Sequence, residues 1–376
     1  MTNRKETIVL IGNHHIVIYN FRKELIQRLV EEGYRVVVML PITQESDRIK
    51  ALGCELIDIS VDRRGMNPIR DLRLYFRYKR ELKRINPSVV LTYTVKPNIY
   101  GGMACRILKI PYIGTITGVG KGITDGGLLT KLIFIMYRFA LKKAGKVFFQ
   151  NTEDKKLFIK HGIAEKNNEL VHGSGVSLET FYVREFPKET EPIRFIFIAR
   201  LTEDKGTDLY LEAAEFIKKK YSDTEFYILG FLEENYKEKI QEYVKKEVVL
   251  YYGMQDDVGA FLQKCQCLIH PSKSEGMSNI CLEAAASGRA VIASDIPGCR
   301  ETVLDKESGY LHKNNDCADL IQKIEKFIQL SYNDRMHMGL NGRKKMEEEF
   351  SREYVVDAYI KAIRKIKAEG KGGDVI

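Results

Sequence analysis

Short runs of apolar residues alternate along the chain with longer segments in which apolar residues recur every three or four positions. In the amino-terminal half, the short runs predict β-strands at 8–11, 35–40, 55–59, 89–92, 112–115 and 146–149. The longer segments predict helices at 21–32, 45–52, 71–84, 99–108 and 129–142. Because strands and helices alternate, this half is predicted to form a doubly wound parallel sheet.

The same alternation begins again near residue 193. Its strands are predicted at 194–199, 225–229, 248–251, 267–270 and 290–293, and its helices at 208–219, 236–243, 258–263 and 279–287. A charged segment with two prolines, 184–192, separates the two series and is interpreted as a linker. The sequence therefore predicts an α/β protein with two tandem doubly wound domains, 1–183 and 193–350, followed by a largely helical segment, 351–376.

Positive charge is concentrated in the amino-terminal half. The 376 residues carry a formal net charge of +9, yet residues 1–187 contain 31 Lys and Arg against 18 Asp and Glu, a net charge of +13. This half is expected to meet an anionic partner: phospholipid, a lipid diphosphate or nucleic acid. Nucleic acid is the least favoured of these, because no run of basic and aromatic residues typical of RNA-binding modules is present.

Seven scattered cysteines without a C-x-x-C pair are typical of a protein from a reducing, cytosolic compartment. The first predicted strand lies so close to the amino terminus that we expect no signal peptide. The longest apolar run, 132–137, is too short to cross a bilayer.

The most distinctive stretch is 271–298. A predicted strand stops at Pro271, a loop follows, and a predicted helix then ends at Gly288. The amino-terminal end of such a helix carries unpaired N–H groups and partial positive charge, so it is a candidate anion site. Glu275 and Glu283 bracket that end and could accept hydrogen bonds from hydroxyl groups of a sugar and a ribose. The alternative is that neither acid contacts a ligand. The helix dipole then favours an acid near the start of the helix, and the second acid lies on a solvated face.

Glu275 and Glu283 are separated by seven residues within SEGMSNICLEAAASGRAVIASDIPG. This stretch resembles the E-x7-E motif of retaining family-4 glycosyltransferases of the GT-B fold. The resemblance implies two domains that face each other across a cleft, with the acceptor in 1–183, the donor in 193–350, and a helix of 351–376 that crosses back to the first domain. It further implies that Glu275 contacts the donor sugar and that Glu283 contacts the ribose. Residues implied to add donor contacts are Gly276, Met277, Ser278 and Asn279.

Arg200 and Lys205 follow the strand 194–199 and are placed at the carboxyl edge of its sheet, where they could hold a diphosphate. An exposed basic loop is the alternative. The residues resemble the family's G-R-x-x-x-x-K-G signature, with Ala199 in place of the first glycine, which implies that the pair stabilises the departing nucleotide diphosphate. No D-x-D triplet occurs and the histidines lack metal spacing. No metal and no other cofactor are therefore expected. The donor is expected to be a UDP-sugar, which would be a co-substrate.

Weaker similarities concern the base and the acceptor. The segment 251–257, with Gly253 and Met254, resembles the part of the family that contacts the nucleobase. KPNIYGG at 96–102 and ITGVG at 116–120 look like the subgroup that builds capsules, exopolysaccharides and lipid-linked oligosaccharides, including transferases that add N-acetylgalactosamine or galactose to undecaprenyl-diphosphate sugars. Many family members carry a histidine near Thr117, and here it is absent. Candidate acceptor contacts are His14, Lys96 and Thr117.

Basic residues form a stripe on the predicted helix 71–84 and its preceding turn. At 100° per residue they share a sector of about 80°; they are Arg70, Arg73, Arg77, Arg80 and Arg84. We favour a role in docking to anionic phospholipid or to a polyprenyl diphosphate, with a solvated face as the alternative. A second basic segment, 131–146, could join the stripe, although its apolar side is better explained as core.

Together these features predict a metal-independent, retaining glycosyltransferase. It would move a hexose or N-acetylhexosamine, best GalNAc or Gal, from a UDP-sugar to a polyprenyl-diphosphate-linked sugar. The protein is expected to be cytoplasmic and peripherally associated with the inner face of the plasma membrane. Two alternatives stay open: a GDP-sugar transferase of the same fold, and a non-hydrolysing UDP-sugar 2-epimerase.

Overall fold

The computed structural model describes residues 5–62, 65, 67–119 and 127–371. The chain forms two compact units, Met1–Ser174 with Glu353–Ile376, and Gly175–Arg352. Each unit contains one parallel sheet with helices, as the alternation of strands and helices predicted. No helix in the described ranges combines the length and the hydropathy that are needed to cross a lipid bilayer.

Parallel strands form the sheet of the first unit. They are β1 (Thr7–Ile11), β2 (Arg35–Leu40), β3 (Glu55–Asp58), β4 (Val89–Tyr93), β5 (Tyr112–Ile116), β6 (Lys146–Phe149) and β7 (Asn168–Leu170). Their order across the sheet is β3-β2-β1-β4-β5-β6-β7. The winding direction reverses between β1 and β4, and the carboxyl ends of strands at such a switch point are where doubly wound sheets bind ligands.

Helices cover both faces of this sheet. Up to residue 160 they are α1 (His15–Glu31), α2 (Asp47–Lys50), α3 (Pro68–Ile85), α4 (Gly102–Leu108), α5 (Leu128–Leu141) and α6 (Thr152–Lys160). A π-helical turn, Pro97–Gly101, leads into α4. The side chain of Asn98 in this turn accepts a hydrogen bond from Thr92 and donates one to the carbonyl of Thr115, both at 2.7 Å. The turn is thereby tied to β4 and β5.

Helix α1 begins earlier than the start at residue 21 that the sequence predicted. His14 is extended, and its side chain accepts a hydrogen bond from the backbone N–H of Ile16, so it caps the helix. The first turn contains β-branched residues, which weaken a helical pattern in the sequence. Ile18 is nevertheless fully buried against the sheet, and that packing overrides its local preference.

The second unit has a parallel sheet of its own. Its strands are β8 (Ile193–Ile198), β9 (Thr224–Leu229), β10 (Leu250–Tyr251), β11 (Cys267–His270), β12 (Ala290–Ser294) and β13 (Gly309–His312), in the order β10-β9-β8-β11-β12-β13. Its helices in the described residues are α7 (Thr207–Lys220), α8 (Lys237–Lys245), α9 (Val258–Gln263), α10 (Asn279–Ala286), α11 (Cys317–Ile328) and α12 (Tyr332–Glu349). Here the order reverses between β8 and β11, the strands that precede the two candidate phosphate loops.

The last described helix, α13 (Arg352–Lys371), packs against the first unit. Its buried residues, among them Val356, Tyr359 and Ile363, belong to the same core as apolar residues of β1 and β2. The hydroxyl groups of Tyr359 and Thr115 are 2.6 Å apart in a hydrogen bond. The first unit is therefore built from two separate stretches of the chain.

The segment 184–192, interpreted from the sequence as a linker, is instead anchored to the second unit. The chain passes from one unit to the other between Ser174 and Gly175. The buried guanidinium group of Arg289 donates hydrogen bonds to the carbonyl oxygens of Arg184 and Glu185, at 3.2 and 2.6 Å. These bonds satisfy a buried charge, which explains why the charged segment is held in place.

Candidate functional site

The loops after β8 and β11 lie against each other at the carboxyl edge of the second sheet. Gly206 ends the loop after β8 with φ +75°, and a Cβ atom there would lie 2.0 Å from the carbonyl oxygen of Pro271. Only glycine permits this approach. The backbone N–H of Lys273 also donates to the carbonyl of Asp204 at 2.9 Å. The two stretches that the sequence singled out are thus brought together.

Lys205 and His270 both bind the carboxylate of Glu275. Lys205 Nζ lies 2.7 Å and His270 Nε2 lies 3.0 Å from the same oxygen, Glu275 Oε1. Burial opposes ionisation of Glu275, but the hydrogen bond from His270 and the charges of His270 and Lys205 outweigh it and lower its pKa to about 2. Among the described residues no hydrogen bond to Glu275 Oε2 is formed. The site therefore holds an ionised carboxylate with one oxygen open.

His270 was not selected from the sequence. It ends β11 five residues before Glu275, and that position at a strand end was the signal that could have found it. Burial lowers the pKa of His270, whereas Cys281 and the hydrogen bond with Glu275 raise it, and the net pKa is raised. Its Nδ1 atom is buried without a hydrogen-bond partner in the described part of the protein. His270, Cys281 and Cys299 place three potential metal-ligand atoms within 4.8 Å of one another.

A rigid turn forms the amino-terminal end of α10. The side chain of Ser278 caps the helix by accepting a hydrogen bond from Cys281 N at 3.4 Å, and Ser278 N donates to the carbonyl of Gly298 at 2.8 Å. Gly298 has φ +81°, and a Cβ atom there would lie 2.6 Å from the carbonyl oxygen of Gly276. Met277 is buried. The side-chain oxygen of Asn279 is also buried, and it has no partner among the described residues.

Glu283 lies one turn further along α10 than Asn279. Burial raises the pKa of its carboxyl group to about 7, the charge of Arg352 opposes that shift, and Cys281 adds to it. The described residues supply no hydrogen bond or ion pair to this carboxyl group. Glu283 is therefore an acid that changes its charge near neutral pH and is available to a ligand.

The remaining donor candidates lie on other strands of the same sheet. Arg200 is exposed at the end of β8, and its Nε lies 3.9 Å from Glu233 Oε1 rather than at the Lys205–Glu275 pair. Gly253 follows the edge strand β10, and its carbonyl accepts a hydrogen bond from Gly230 N at 2.8 Å. Met254 beside it is exposed. These residues share the carboxyl edge without making direct contact with Glu275 in the described structure.

Three acceptor candidates follow neighbouring strands of the first sheet: His14 after β1, Lys96 after β4 and Thr117 after β5. Lys96 Nζ lies 2.5 Å from Asp71 Oδ1. The loop after Thr117 continues into Gly120 and Lys121, which lie outside the described residues. Thr94 is a non-glycine residue with φ +71°, and its buried hydroxyl has no partner among the described residues. Strain and an unpaired polar atom at the switch point are typical of a ligand site.

Most arginines of the stripe on α3 bind acids of the protein itself. Arg70 pairs with Asp62 and Arg77 with Asp58, while Arg80 and Arg84 both bind Glu81. Only Arg73 is found without an ion pair among the described residues. The mutual repulsion that favoured an external anion is thus largely relieved within the protein.

The fold has solved counterparts. The structure of Anabaena Alr3699/HepE in complex with UDP and glucose aligns with a TM-score of 0.78 at 12% sequence identity and covers 96% of this chain and 100% of its own. The glycosyltransferase from Rickettsia africae ESF-5 aligns with a TM-score of 0.79 at 17% identity, over 96% and 99% of the two chains. With its two doubly wound parallel sheets, the protein has the GT-B fold.

Sequence comparison defines the family. Residues 179–345 match "Glycosyl transferases group 1", and residues 7–151 match "Glycosyl transferase 4-like". These matches span most of both units, and the chain belongs to this glycosyltransferase family, as its E-x7-E stretch suggested.

Two curated relatives are similar to this chain. One is the N,N'-diacetylbacillosaminyl-diphospho-undecaprenol alpha-1,3-N-acetylgalactosaminyltransferase of Campylobacter jejuni. It is 28% identical, and the alignment covers 83% of this chain and 86% of that protein. The other is the UDP-Gal:alpha-D-GlcNAc-diphosphoundecaprenol alpha-1,3-galactosyltransferase of Escherichia coli. It is 26% identical, and the alignment covers 69% of this chain and 71% of that protein.

Proposed function

We propose that this protein transfers a hexose or N-acetylhexosamine, GalNAc or Gal before other sugars, from a UDP-sugar to a polyprenyl-diphosphate-linked sugar, with retention of the anomeric configuration. The observation that carries the proposal is the state of Glu275. This carboxylate is ionised, Lys205 and His270 hold one of its oxygens, and the other oxygen is available for a donor sugar hydroxyl. The names of the two relatives support the choice of sugar and acceptor.

The leaving nucleotide diphosphate is stabilised by positive groups at the same edge. Lys205 is already placed beside Glu275, and the N–H groups at the start of α10 add donors that are fixed by the Ser278 cap. Arg200 is exposed and held only at 3.9 Å from its acid, so it can turn to a second phosphate at little cost. This set of donors needs no metal ion to balance the developing charge.

Glu283 binds the ribose in this proposal. A carboxylate accepts hydrogen bonds from two hydroxyl groups best when it is ionised. Because the pKa of Glu283 is raised to about 7, nucleotide binding is coupled to deprotonation of this carboxyl group. Gly253 and Met254 contact the base, largely through the backbone, as the similarity to the family implies.

Retention is implied by the resemblance to the family, and the state of Glu275 bears on how it would occur. A carboxylate with a pKa of about 2 that is bonded to Lys205 and His270 is a weak base and a weak nucleophile. We therefore propose displacement from one face of the sugar, in which the departing phosphate oxygen accepts the proton of the attacking acceptor hydroxyl. His14, Lys96 and Thr117 bind the acceptor, and the first unit meets the inner face of the plasma membrane.

The test is release of UDP from a panel of UDP- and GDP-sugars, with and without a lipid extract, and with and without EDTA. Lipid-dependent, EDTA-resistant release from one UDP-sugar is expected, and the anomeric proton of the product then reports retention by NMR. Loss of turnover with EDTA would contradict metal independence. Release of GDP, or epimerisation without release of nucleotide, would replace the proposal with one of the two alternatives.

A further inference from the structure

An apolar groove runs along the helical surface of the first unit. It encloses about 500 Å³ among α3, the Pro97–Gly101 turn with α4, and α5. Its walls are mainly aliphatic, aromatic and methionine side chains, among them Leu72, Tyr75, Met103, Leu132, Met136 and Phe139. No function described above uses these residues.

The length of the groove follows from helix geometry. Leu129 and Phe139 both line it from α5, so it extends about 15 Å along that helix at 1.5 Å per residue. A groove of that length with apolar side chains along its walls suits an extended chain that lies along α5.

One end of the groove is polar and lies at the carboxyl edge of the sheet. Val95 and Lys96 follow β4 directly, and they line the groove together with Asp71. Lys96 and Asp71, bonded to each other, are the charged residues among the described residues of its lining. Because helices in such folds run back from the carboxyl edge, Ile107 and Phe139 mark the opposite end, where the guanidinium carbon of Arg106 lies 3.9 Å from the centre of the Phe139 ring.

The rim of the groove is apolar and exposed. Leu72 is 56% exposed, Leu132 is 53% exposed and Ile107 is 50% exposed, although all three are large hydrophobic residues. Leu128 and Ile135 on α5 extend this surface at 85% and 62% exposure. An exposed apolar surface of this extent, with a concave centre, is typical of a site that is covered by an apolar ligand.

We infer that this groove binds the isoprenoid chain of a polyprenyl diphosphate, with the diphosphate at the Lys96 end. The inference rests on the proposed function, because it gives the lipid part of that acceptor a binding site. An amphiphile with one ionic end matches a groove whose charged lining residues, in the part of the chain that the structure describes, stand at one end, where a diphosphate would take Lys96 from Asp71, with apolar side chains along the rest. The polar end follows β4, which lies between β1 and β5, the strands that precede His14 and Thr117, where the attached sugar would be expected.

Tryptophan fluorescence tests the inference without any turnover, because the natural chain contains no tryptophan. Leu132→Trp places a reporter in the groove, and Ile135→Trp places one on the same helix outside the groove lining at similar exposure. The probe is farnesyl diphosphate below its micelle concentration, with inorganic diphosphate as the chain-free control. We expect a saturable blue shift of Leu132→Trp with farnesyl diphosphate only, and no shift of Ile135→Trp.

Other results would overturn the inference. Absence of a shift in Leu132→Trp, or equal shifts in both variants, would show that the groove does not hold the chain. A shift of Leu132→Trp with phosphatidylglycerol vesicles but not with farnesyl diphosphate would assign this face to the bilayer itself. UDP binding, measured in parallel, reports on the second unit, so failure of the donor proposal is seen separately.

The orientation of the chain has its own test. Adding Lys96→Met to Leu132→Trp should weaken farnesyl diphosphate binding about tenfold and leave farnesol binding unchanged, because only the diphosphate loses its charged partner. Lys96→Arg should restore most of the affinity. Equal weakening of both ligands would overturn the placement of the diphosphate at Lys96.

Discussion

The two sheets use their carboxyl edges in different ways. Beside β8 and β11, partly buried charged groups bind one another and the buried His270, and glycines hold the loops so closely that these groups have fixed positions. Beside β4, a single ion pair stands at the end of a groove whose other walls are apolar. One architecture can therefore present a preorganised ionic site or a hydrocarbon site, depending on the loops and helices that follow the switch point.

Removal of the central cation should have the largest effect. Lys205→Ala takes away the ion pair with Glu275 and a donor to the leaving diphosphate, so we expect kcat/KM to fall by about 10²- to 10⁴-fold. Steady-state UDP release measures it. Lys219→Ala is the matched control, since that lysine pairs with Glu215 on an exposed helix surface, and it should stay near wild-type activity. Similar rates for the two variants would show that Lys205 does not stabilise the leaving diphosphate.

A side chain at Gly206, beside the ionic site, should have the next largest effect. Gly206→Ala places a methyl group against the carbonyl of Pro271, so the loop must shift, and we expect a loss of about 2 to 4 kcal/mol in the free energy of unfolding together with lower activity. Gly33→Ala is the control: Gly33 also has positive φ, but nothing lies within 4 Å of the added Cβ. That variant should lose only about 1 kcal/mol. Chemical denaturation compares them.

Protonation of Glu283 should produce a moderate, pH-dependent effect. The carboxyl group must be ionised to bind ribose, so the affinity for UDP-N-acetylgalactosamine should rise about tenfold from pH 6 to pH 8. Glu283→Gln should bind more weakly at pH 8 and show no such slope in calorimetric titration. A slope that persists in this variant would belong to another group.

The same pKa has a consequence for stability. A folded-state pKa raised above the ordinary value means that the contribution of Glu283 to stability is complete at low pH and is lost as pH rises through about 7. Glu283→Gln should therefore raise the melting temperature at pH 8.5 and leave it nearly unchanged at pH 5. Thermal melts at the two pH values decide this, and a higher melting temperature only at pH 5 would contradict it.

The arginine stripe should give the smallest effects on folding. Arg77→Ala removes a partly exposed pair with Asp58 and should change the free energy of unfolding by at most about 1 kcal/mol. Arg73→Ala removes an unpaired charge and should leave stability unchanged, while its effect on vesicle sedimentation reports the anionic surface. If Arg73→Ala binds anionic vesicles as well as the wild type does, Arg73 has no role in membrane binding.

The sequence was sufficient for the fold class because strands buried on both faces of a parallel sheet are continuous apolar runs, such as β2 and β11. It selected Lys205 and Glu275 separately. It did not predict their contact, because β8 and β11 are neighbours in space with β9 and β10 between them in sequence. The roles of these residues stay a prediction.

Other features depend on packing that a pattern does not encode. His270 looks like the last residue of a strand, and only its bond to Glu275 gives it a part in the site. The apolar side of α5 was interpreted as core, but while Phe134 and Tyr137 are buried, Leu132 and Ile135 on the same helix are exposed. Periodicity identifies an apolar face and leaves open how much of it the rest of the unit covers.

Helix α13 also sets the order in which the protein can be completed during synthesis. It follows the whole second unit in sequence, yet Tyr359 on it fills the core of the first unit and bonds to Thr115. The second unit, Gly175–Arg352, is contiguous and can fold as soon as it leaves the ribosome. The first unit emerges earlier but waits for α13, so the unit that is made first is finished last.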